Sequence, residues 1–568
     1  MIPIINQFKK LQTIFSISYA SLILLTIFFT ISSFLDLISL GLIVPLVSYL
    51  IDPHKNYEEV LIVKYFISNN NFLIVSSIIL IAVFFLKTIV SIINLYLIKK
   101  FSLTKYKNLQ LKLFKIYQQM GYSSFITRNK IEYIRNIQEL SKQSTICLEE
   151  SIKLFSETIV LISILIFLLS TQFKSVIILA VILSANLYFY NLYFKKKLIN
   201  YGKNQISKSK LILKIIQNTF DGFKEILILN KQNFFYTNLN RSINEKAKYD
   251  LLGSVIGNSP RFLLELIIVI FIISYFVIFN QYNYNRTQEI LPIISVFAFA
   301  ALRIIPSCGV IAKGITSINY HYHAIDKVYK DINNLTTKKK KIRFDKLRSI
   351  EFKNVSFNYP GSKNLIFNKL NFKFTKGKII GIVGKNGSGK STLVDLILGL
   401  LQPTKGHILI NKKICVVDPS MWIGQISYMP QDNIFLNESI KTNITMSTDS
   451  NNLINGKIYK CLKMSDFLEF VSKLPKKINT TIGENGISLS GGQHKKLALS
   501  RLFYNNNSML IMDEATNSLD KDSEKLVTNQ IKNLKKNKTI IIISHKKESL
   551  KYCDLIFKIT NKNLLSIK

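Results

Sequence analysis

Up to residue 335 the chain alternates long apolar runs with Lys-rich stretches; beyond it the pattern shifts to short apolar strands and helices punctuated by Gly. A helix rising about 1.5 Å per residue needs about twenty mostly apolar residues to cross the hydrocarbon layer. Six stretches meet that requirement, over residues 14–49, 72–98, 152–170, 176–194, 260–279 and 290–311. The period predicts a membrane domain over 1–335, a linker over 336–348 that includes the Lys-rich run 337–341, and a separate α/β domain over 349–568.

The segments 99–153 and 195–248 carry many Lys and Arg, while 52–71, 171–174 and 281–289 carry few. The positive-inside rule then places both termini in the cytoplasm. The two basic connections keep a regular Leu, Ile and Phe spacing, so the spans are expected to continue past the bilayer as helices. Their turning points, 121–129 and 221–231, are where a loop can dock on the second domain; the alternative is plain solvated loops. Residues 58–67, EEVLIVKYFI, read either as an outer amphipathic helix lying in the interface or as an ordinary loop.

Composition changes this picture little. The formal charge is +41, yet the basic residues flank apolar spans instead of gathering into one groove-sized patch. A basic face against anionic membrane lipid fits that distribution, and nucleic acid is not expected as a partner. Cys147, Cys308, Cys415, Cys461 and Cys553 are scattered, with neither disulfide nor zinc spacing. The basic start leads into an apolar stretch too long for a signal peptide, so no cleavable signal is expected.

Asp36, Lys87, Glu157, Arg261, Glu265 and Arg303 fall within or beside the spans. Each costs about 2.5 to 3.5 kcal/mol or more at the bilayer centre, so they are expected to face the bundle interior or water. Arg261 and Glu265 are four apart and can pair on one helix face. Lys87 and Arg303 have no local partner, which leaves cations suited to an anionic substrate unless Asp36 neutralises one.

In the second domain the apolar strand 379–383 runs into Gly384-Lys385-Asn386-Gly387-Ser388-Gly389-Lys390-Ser391-Thr392 and the apolar helix 393–401. This is the phosphate-binding loop, G-x-x-x-x-G-K-S, in its strand-loop-helix setting. Gly384, Asn386, Gly387, Ser388, Gly389 and Thr392 offer backbone donors at a helix N-terminus, Lys390 reaches the β and γ phosphates, and Ser391 ligates magnesium. Tyr359 is placed to stack on an adenine ring, although an aromatic at a strand end is commonly packing. The buried strand Met509-Leu510-Ile511-Met512 ends in Asp513, expected to hold Mg2+, and Glu514, expected to polarise the attacking water. ATP and Mg2+ are therefore the expected ligands, and the fold class is a six-span helical membrane domain fused to an α/β P-loop NTPase nucleotide-binding domain.

Leu489-Ser490-Gly491-Gly492-Gln493, just upstream of the acidic strand, resembles the signature of ATP-binding-cassette proteins. Gln431 in YMPQD, Gly483-Glu484-Asn485-Gly486, Ser518-Leu519-Asp520 and His545 in IIIISHK follow that family's order. The resemblance implies a head-to-tail pair of cassettes, each ATP lying between Lys390 of one subunit and Ser490, Gly491, Gly492 and Gln493 of the other. It further implies that His545 contacts the γ-phosphate, that Gln431 senses nucleotide and reaches the metal, and that Asp520 belongs to the nucleotide site. Asn386, His494-Lys495-Lys496 and Ser500-Arg501-Leu502 depart from common family wording; they are expected not to touch residues with chemical roles, leaving both sites of a homodimer competent.

One six-span half with one cassette resembles an exporter-type half-transporter, an ATPase coupled to movement across the cell (inner) membrane. The short N-terminal region argues against exporters that carry a peptidase domain. Ser33-Phe34-Leu35-Asp36 followed by Val44-Pro45, Lys87, Pro260-Arg261 with Leu264-Glu265, and Leu302-Arg303-Ile304-Ile305-Pro306-Ser307 leading into Tyr320-His321-Tyr322-His323 resemble bacterial lipid-linked oligosaccharide flippases of the PglK type. That resemblance implies a polyprenyl-pyrophosphate-linked sugar as substrate, with Lys87, Arg261 and Arg303 near its charged group. The alternatives are an exporter of lipid A, peptide or drug, and an ATP-gated channel or regulatory subunit.

Overall fold

A computed structural model describes residues 2–51, 72–171, 173–282, 287–335, 347–414, 419–422, 424–447, 452–483, 486–505, 507–535 and 537–567. The outer segment 58–67, Cys415, Glu484, Asn485 and most of the expected linker lie outside these residues. The chain divides into two compact units: Met1–Met120 with Arg128–Thr337, and Gly121–Thr127 with Lys338–Lys568.

In chain order the helices of the first part are α1 (Ile2–Phe15), α2 (Tyr19–Ile51), α3 (Phe72–Gln119), α4 (Tyr122–Ile126), α5 (Lys130–Arg135), α6 (Ser141–Thr171), α7 (Phe173–Asp221), α8 (Phe223–Ile228), α9 (Gln232–Tyr282), α10 (Thr287–Tyr320) and α11 (Tyr322–Leu335), with a π-helical turn at Asn136–Leu140. Among the described residues, six helices are long and apolar enough to cross a membrane, matching the six stretches read from the sequence. Helices α3, α7 and α9 run for 48, 49 and 51 residues. At about 1.5 Å per residue each exceeds twice the roughly 30 Å hydrocarbon thickness, so the extension beyond the spans is real helix.

The first span differs from expectation at its start. Ile14 and Phe15 end α1, and Ser16, at φ 46°, breaks the chain before α2 begins. Lys105 Nζ donates to Phe15 O and Ser16 O, each at 3.2 Å, and Lys112 Nζ to Ile14 O at 3.3 Å. Two cations thus satisfy the last carbonyls of α1, where the helix dipole favours positive charge. Between the spans, Leu40, Ile164, Leu168, Leu179, Leu264 and Ile304 build the apolar core.

Where the helices pass beyond the apolar spans, two polar joints replace that core. Asp331 on α11 accepts from Tyr117 Oη at 2.6 Å and Asn136 Nδ2 at 2.9 Å, and pairs with Arg128 at 2.8 Å. A buried carboxylate is tolerable here because its acceptor capacity is filled. At the end of α10, Tyr320 sits against two glycines: a Cβ on Gly202 of α7 would fall 1.8 Å from the Tyr320 carbonyl oxygen, and one on Gly253 of α9 would fall 2.5 Å from its ring. The Tyr320 hydroxyl donates to Asp250 at 2.8 Å.

The second unit contains β1 (Ser349–Phe357), β2 (Phe367–Thr375), β3 (Ile379–Gly384), α12 (Lys390–Ile397), β4 (Lys405–Ile410), β5 (Lys413–Ile414), β6 (Ile426–Met429), α13 (Ile440–Thr445), α14 (Asn452–Met464), α15 (Leu468–Lys473), α16 (Gly491–Tyr504), β7 (Met509–Asp513), α17 (Lys521–Leu534), β8 (Thr539–Ile543), α18 (Lys547–Leu550), β9 (Leu555–Thr560) and β10 (Asn563–Ser566). A four-stranded antiparallel sheet has order β2-β1-β4-β5, and a six-stranded sheet has order β10-β9-β3-β8-β7-β6. Strands β9, β3, β8, β7 and β6 are parallel. Strands β7 and β8 are buried at every residue, the continuous apolar run of a sheet covered on both faces. Tyr122 of α4 packs against the core that holds Phe357, Leu393 and Ile397, so the turning point 121–129 contributes its first residues to this unit, as its predicted docking role requires.

Candidate functional site

The carboxyl ends of β3, β7 and β8 gather the chemistry, the place where open α/β sheets bind ligands. β3 feeds the phosphate loop, whose Gly387 and Gly389 take φ of 78° and 103°. A Cβ at Gly389 would lie 2.8 Å from Ile366 Cγ2, so only Gly lets the loop close onto β2 and open its N–H groups into α12. Lys390 Nζ folds back to Gly384 O at 2.9 Å and Lys385 O at 3.2 Å. Ser388 Oγ is buried with no hydrogen-bond partner among the described residues. An orphaned hydroxyl inside a ring of backbone donors and a lysine fits a phosphate oxygen.

Asp513 ends β7, buried, and its carboxyl is pushed up from the ordinary range by that burial and by Glu514, with Lys390, Lys495 and His545 opposing. A hard cation would reverse this penalty. The Ser391 hydroxyl, the Asp513 carboxylate and the Gln431 amide carry oxygen donors of the kind that would suit Mg2+. Asp395 on α12 was not singled out by the sequence; burial and the neighbouring Asp513 raise its carboxyl to about 6.

Glu514 follows at φ 51°, its N–H donating to Ile543 O at 2.9 Å. Its Oε2 accepts from Gln431 Nε2 at 3.1 Å and from Asn517 Nδ2 at 2.9 Å, and its Oε1 lies 3.9 Å from His545 Nε2. The structure therefore brings Gln431, Glu514 and His545 together and adds Asn517. The clue to Asn517 was local: three residues after Glu514, across one turn, an amide can reach back to the carboxylate.

Tyr359 packs edge-on to Phe357, with centroids 5.2 Å apart, and its hydroxyl lies 3.0 Å from Thr392 Oγ1. It thus stands beside the first turn of α12. Ser490 caps α16: Gln493 N donates to Ser490 Oγ at 3.3 Å and Ser490 N to Gln493 Oε1 at 2.9 Å. Gly491 is exposed, and among the described residues no hydrogen bond joins Ser490–Gln493 to the phosphate loop. The capped end therefore presents a free set of N–H groups to a second ligand.

Asp520, expected at the nucleotide site, caps α17 within this chain. Its Oδ1 accepts from Ser523 N at 2.9 Å and its Oδ2 from Ser523 Oγ at 2.6 Å. The Ser523 hydroxyl and then its amide hold the carboxyl down at about 2. Because the folded value is depressed, the capping contribution is present above the ordinary carboxylate range and is lost as pH falls toward about 2. Asp520→Ala is expected to cost about 1 kcal/mol and Asp520→Asn only a few tenths, measured by thermal unfolding at neutral pH; equal effects would contradict the capping role.

The expected isolation of 494–496 is corrected. Lys495 Nζ donates to Gln431 O at 2.6 Å, and Lys496 Nζ lies 2.8 Å from Asp466 and 3.8 Å from Asp520. Both lysines therefore touch residues assigned chemical roles. Their shortest contacts, to Gln431 and Asp466, lie 64 and 30 residues away, beyond the reach of a local motif.

Within the spans, Lys87 and Arg303 are not unpartnered. Lys87 Nζ lies 2.7 Å from Asp36 Oδ1, and Arg303 Nε 3.0 Å from Asp36 Oδ2. Arg303 also reaches Glu157 at 3.4 Å, where Ser307 donates at 2.7 Å. Two cations and two carboxylates cancel, because each desolvated charge needs an opposite one nearby. Arg261 is the reverse case. No ion pair to Glu265 forms among the described residues; its stem lies against Gly309, whose added Cβ would meet Arg261 Cβ at 3.4 Å.

Residues 367–517 match the family model described as ABC transporter. Among curated proteins, the α-hemolysin translocation ATP-binding protein HlyB of Escherichia coli O157:H7 is 38% identical over 213 residues, 37% of this chain and 30% of that protein. The leukotoxin export ATP-binding protein LtxB of Aggregatibacter actinomycetemcomitans is 36% identical over 208 residues, 36% of this chain and 29% of that protein. The matched region thus spans about 30% of the length of these relatives. A solved structure described as a bacterial Atm1-family ABC exporter with ATP bound superposes with TM-score 0.81 at 15% identity, over 96% of this chain and 95% of that one. The fold is that of an Atm1-type ABC exporter: six apolar helices, then a nucleotide-binding domain.

Proposed function

We propose that two copies of this chain form an ATP-driven exporter of the cell (inner) membrane, with both nucleotide-binding domains in the cytoplasm, and that its cargo is a polyprenyl-pyrophosphate-linked sugar. The observation that carries the first part is the cluster of Lys390, Asp513, Gln431 and Glu514 at the ends of parallel strands in a chain that also holds six membrane-length helices. Lys390 and the loop N–H groups bind the β and γ phosphates. Bound Mg2+, held by Ser391, Asp513 and Gln431, would neutralise charge on the phosphates. Glu514 orients and polarises the attacking water while His545 steadies the γ-phosphate. The capped N-terminus of α16 offers the second cradle for the partner's ATP, so nucleotide holds the pair closed and hydrolysis releases it.

The exposed tip formed by Phe220, Phe223, Leu227 and Ile228, at 70%, 54%, 49% and 73% exposure, marks the second turning point as the other docking element. The cargo reading rests on the flippase-like segments and on the charged cluster set within apolar spans. Arg261 offers a cation to a pyrophosphate directly. Lys87 and Arg303 can do so only when Asp36 and Glu157 are drawn aside, which couples binding to rearrangement of the bundle.

The two toxin exporters match over 213 and 208 residues, about a third of this chain, too little to carry their cargo over to it. Reconstituted vesicles supplied with ATP and fluorescent lipid-linked sugars, lipid A or peptides discriminate these readings. Translocation of the lipid-linked sugar, with weaker transport of the others, is expected. ATP-dependent transport of peptide or lipid A alone would replace the cargo and keep the exporter.

A further inference from the structure

The three residues after the signature fan out around α16 at about 100° per residue. His494 faces the Phe435 ring with centroids 5.1 Å apart, Lys496 pairs with Asp466, and Lys495 points to the Gln431 turn. The Lys495 bond is the informative one. Gln431 lies in a loop after β6, where no sheet ladder fixes its carbonyl, and a charged donor at 2.6 Å supplies that restraint. The side chain of the same residue then donates to Glu514 Oε2 at 3.1 Å. Further along α16, Arg501 Nη1 donates to Ile434 O at 2.9 Å and its Nε to Asn443 O at 2.7 Å. The helix therefore holds the segment from 431 to 443 at several main-chain carbonyls, and the first of these lies one residue-length from the catalytic carboxylate.

We propose that Lys495 is a positioning residue that ties the N-terminal turn of α16 to Glu514 through Gln431, so that occupation of the α16 cradle by the partner's ATP sets the catalytic carboxylate of its own subunit. The proposal rests on the ATPase reading above. A helix is stiff, and Lys495 leaves it only one turn past the capped Ser490, so a displacement of the cradle reaches the Gln431 carbonyl undamped. Gln431 also belongs to the expected Mg2+ set. Fixing its main chain leaves its side chain free to exchange Glu514 for the metal without losing its place.

The test uses the full chain in lipid vesicles, comparing wild type with Lys495→Met and Lys495→Arg. Lys495→Met is expected to lower kcat for ATP about tenfold and to bring the Hill coefficient for ATP to about 1. The affinity for a fluorescent methylanthraniloyl-ATP and the thermal midpoint stay near wild type, and Lys495→Arg recovers both kcat and cooperativity. A purely structural lysine would instead lower affinity and thermal midpoint together. Wild-type kcat and Hill coefficient in Lys495→Met overturn the proposal while leaving the ATPase reading in place. Absence of ATP hydrolysis in the wild-type chain overturns both.

Discussion

Glu514→Gln is expected to slow ATP hydrolysis at least about 100-fold, or about 2.7 kcal/mol of barrier, while methylanthraniloyl-ATP binds as well as to wild type. The two amide donors on Oε2, Gln431 and Asn517, aim the carboxylate, and Oε1 faces His545. Gln has the same shape and size, so the backbone at φ 51° and its bond to Ile543 O persist. What disappears is an anionic acceptor for the water proton, and one amide must then confront two amide donors. Steady-state phosphate release on vesicles reads the loss. Turnover within a few-fold of wild type would remove Glu514 from the chemistry. A variant that conducts ions without turnover would point to the gated-channel alternative.

The second large effect lies in the spans. Asp36 is 1% exposed and balances both Lys87 and Arg303, so Asp36→Ala leaves two cations without their shared counter-charge. Removing one partner of a buried pair costs about 3–5 kcal/mol, enough to consume a large part of a domain's stability. Asp36→Ala is expected to lower the thermal midpoint and yield of monodisperse protein sharply. Adding Lys87→Met to Asp36→Ala is expected to recover much of the stability, since Arg303 keeps Glu157 as its counter-charge and an apolar side chain of similar volume replaces the buried cation with little penalty. Size-exclusion profiles after graded heating measure both. No recovery in the double variant would mean that Asp36 serves a structural partner beyond Lys87 and Arg303.

Much of this was legible in the sequence because its causes are local. Twenty apolar residues in a row, a glycine-rich loop between strand and helix, and an apolar strand ending in Asp513 and Glu514 each state their structure within a short window. The break at Ser16 was not, because the apolar run passes through it unmarked, and only Lys105 and Lys112 from a distant helix explain why α1 stops there. The charge balance in the spans was legible only in part, for the same reason: Asp36 reads as a counter-charge for one cation and serves both. Asp36 and Arg303 are 267 residues apart, whereas the neighbours Arg261 and Glu265, which spacing favoured as a pair, leave each other unused. Lys495 and Gln431 belong with these: each is ordinary alone, and their meeting is decided by how β6 and α16 pack.

The contact of Tyr320 with Gly202 and Gly253 bears on what kind of motion the long helices permit. No side chain stands between the Tyr320 carbonyl and α7, or between its ring and the α9 backbone, so nothing there can yield when one helix slides. Telescoping along the helix axes would press the Tyr320 carbonyl on the α7 main chain and its ring on the α9 main chain. Close packing at this joint therefore favours movement of the α7, α9 and α10 ends together over sliding of one past another.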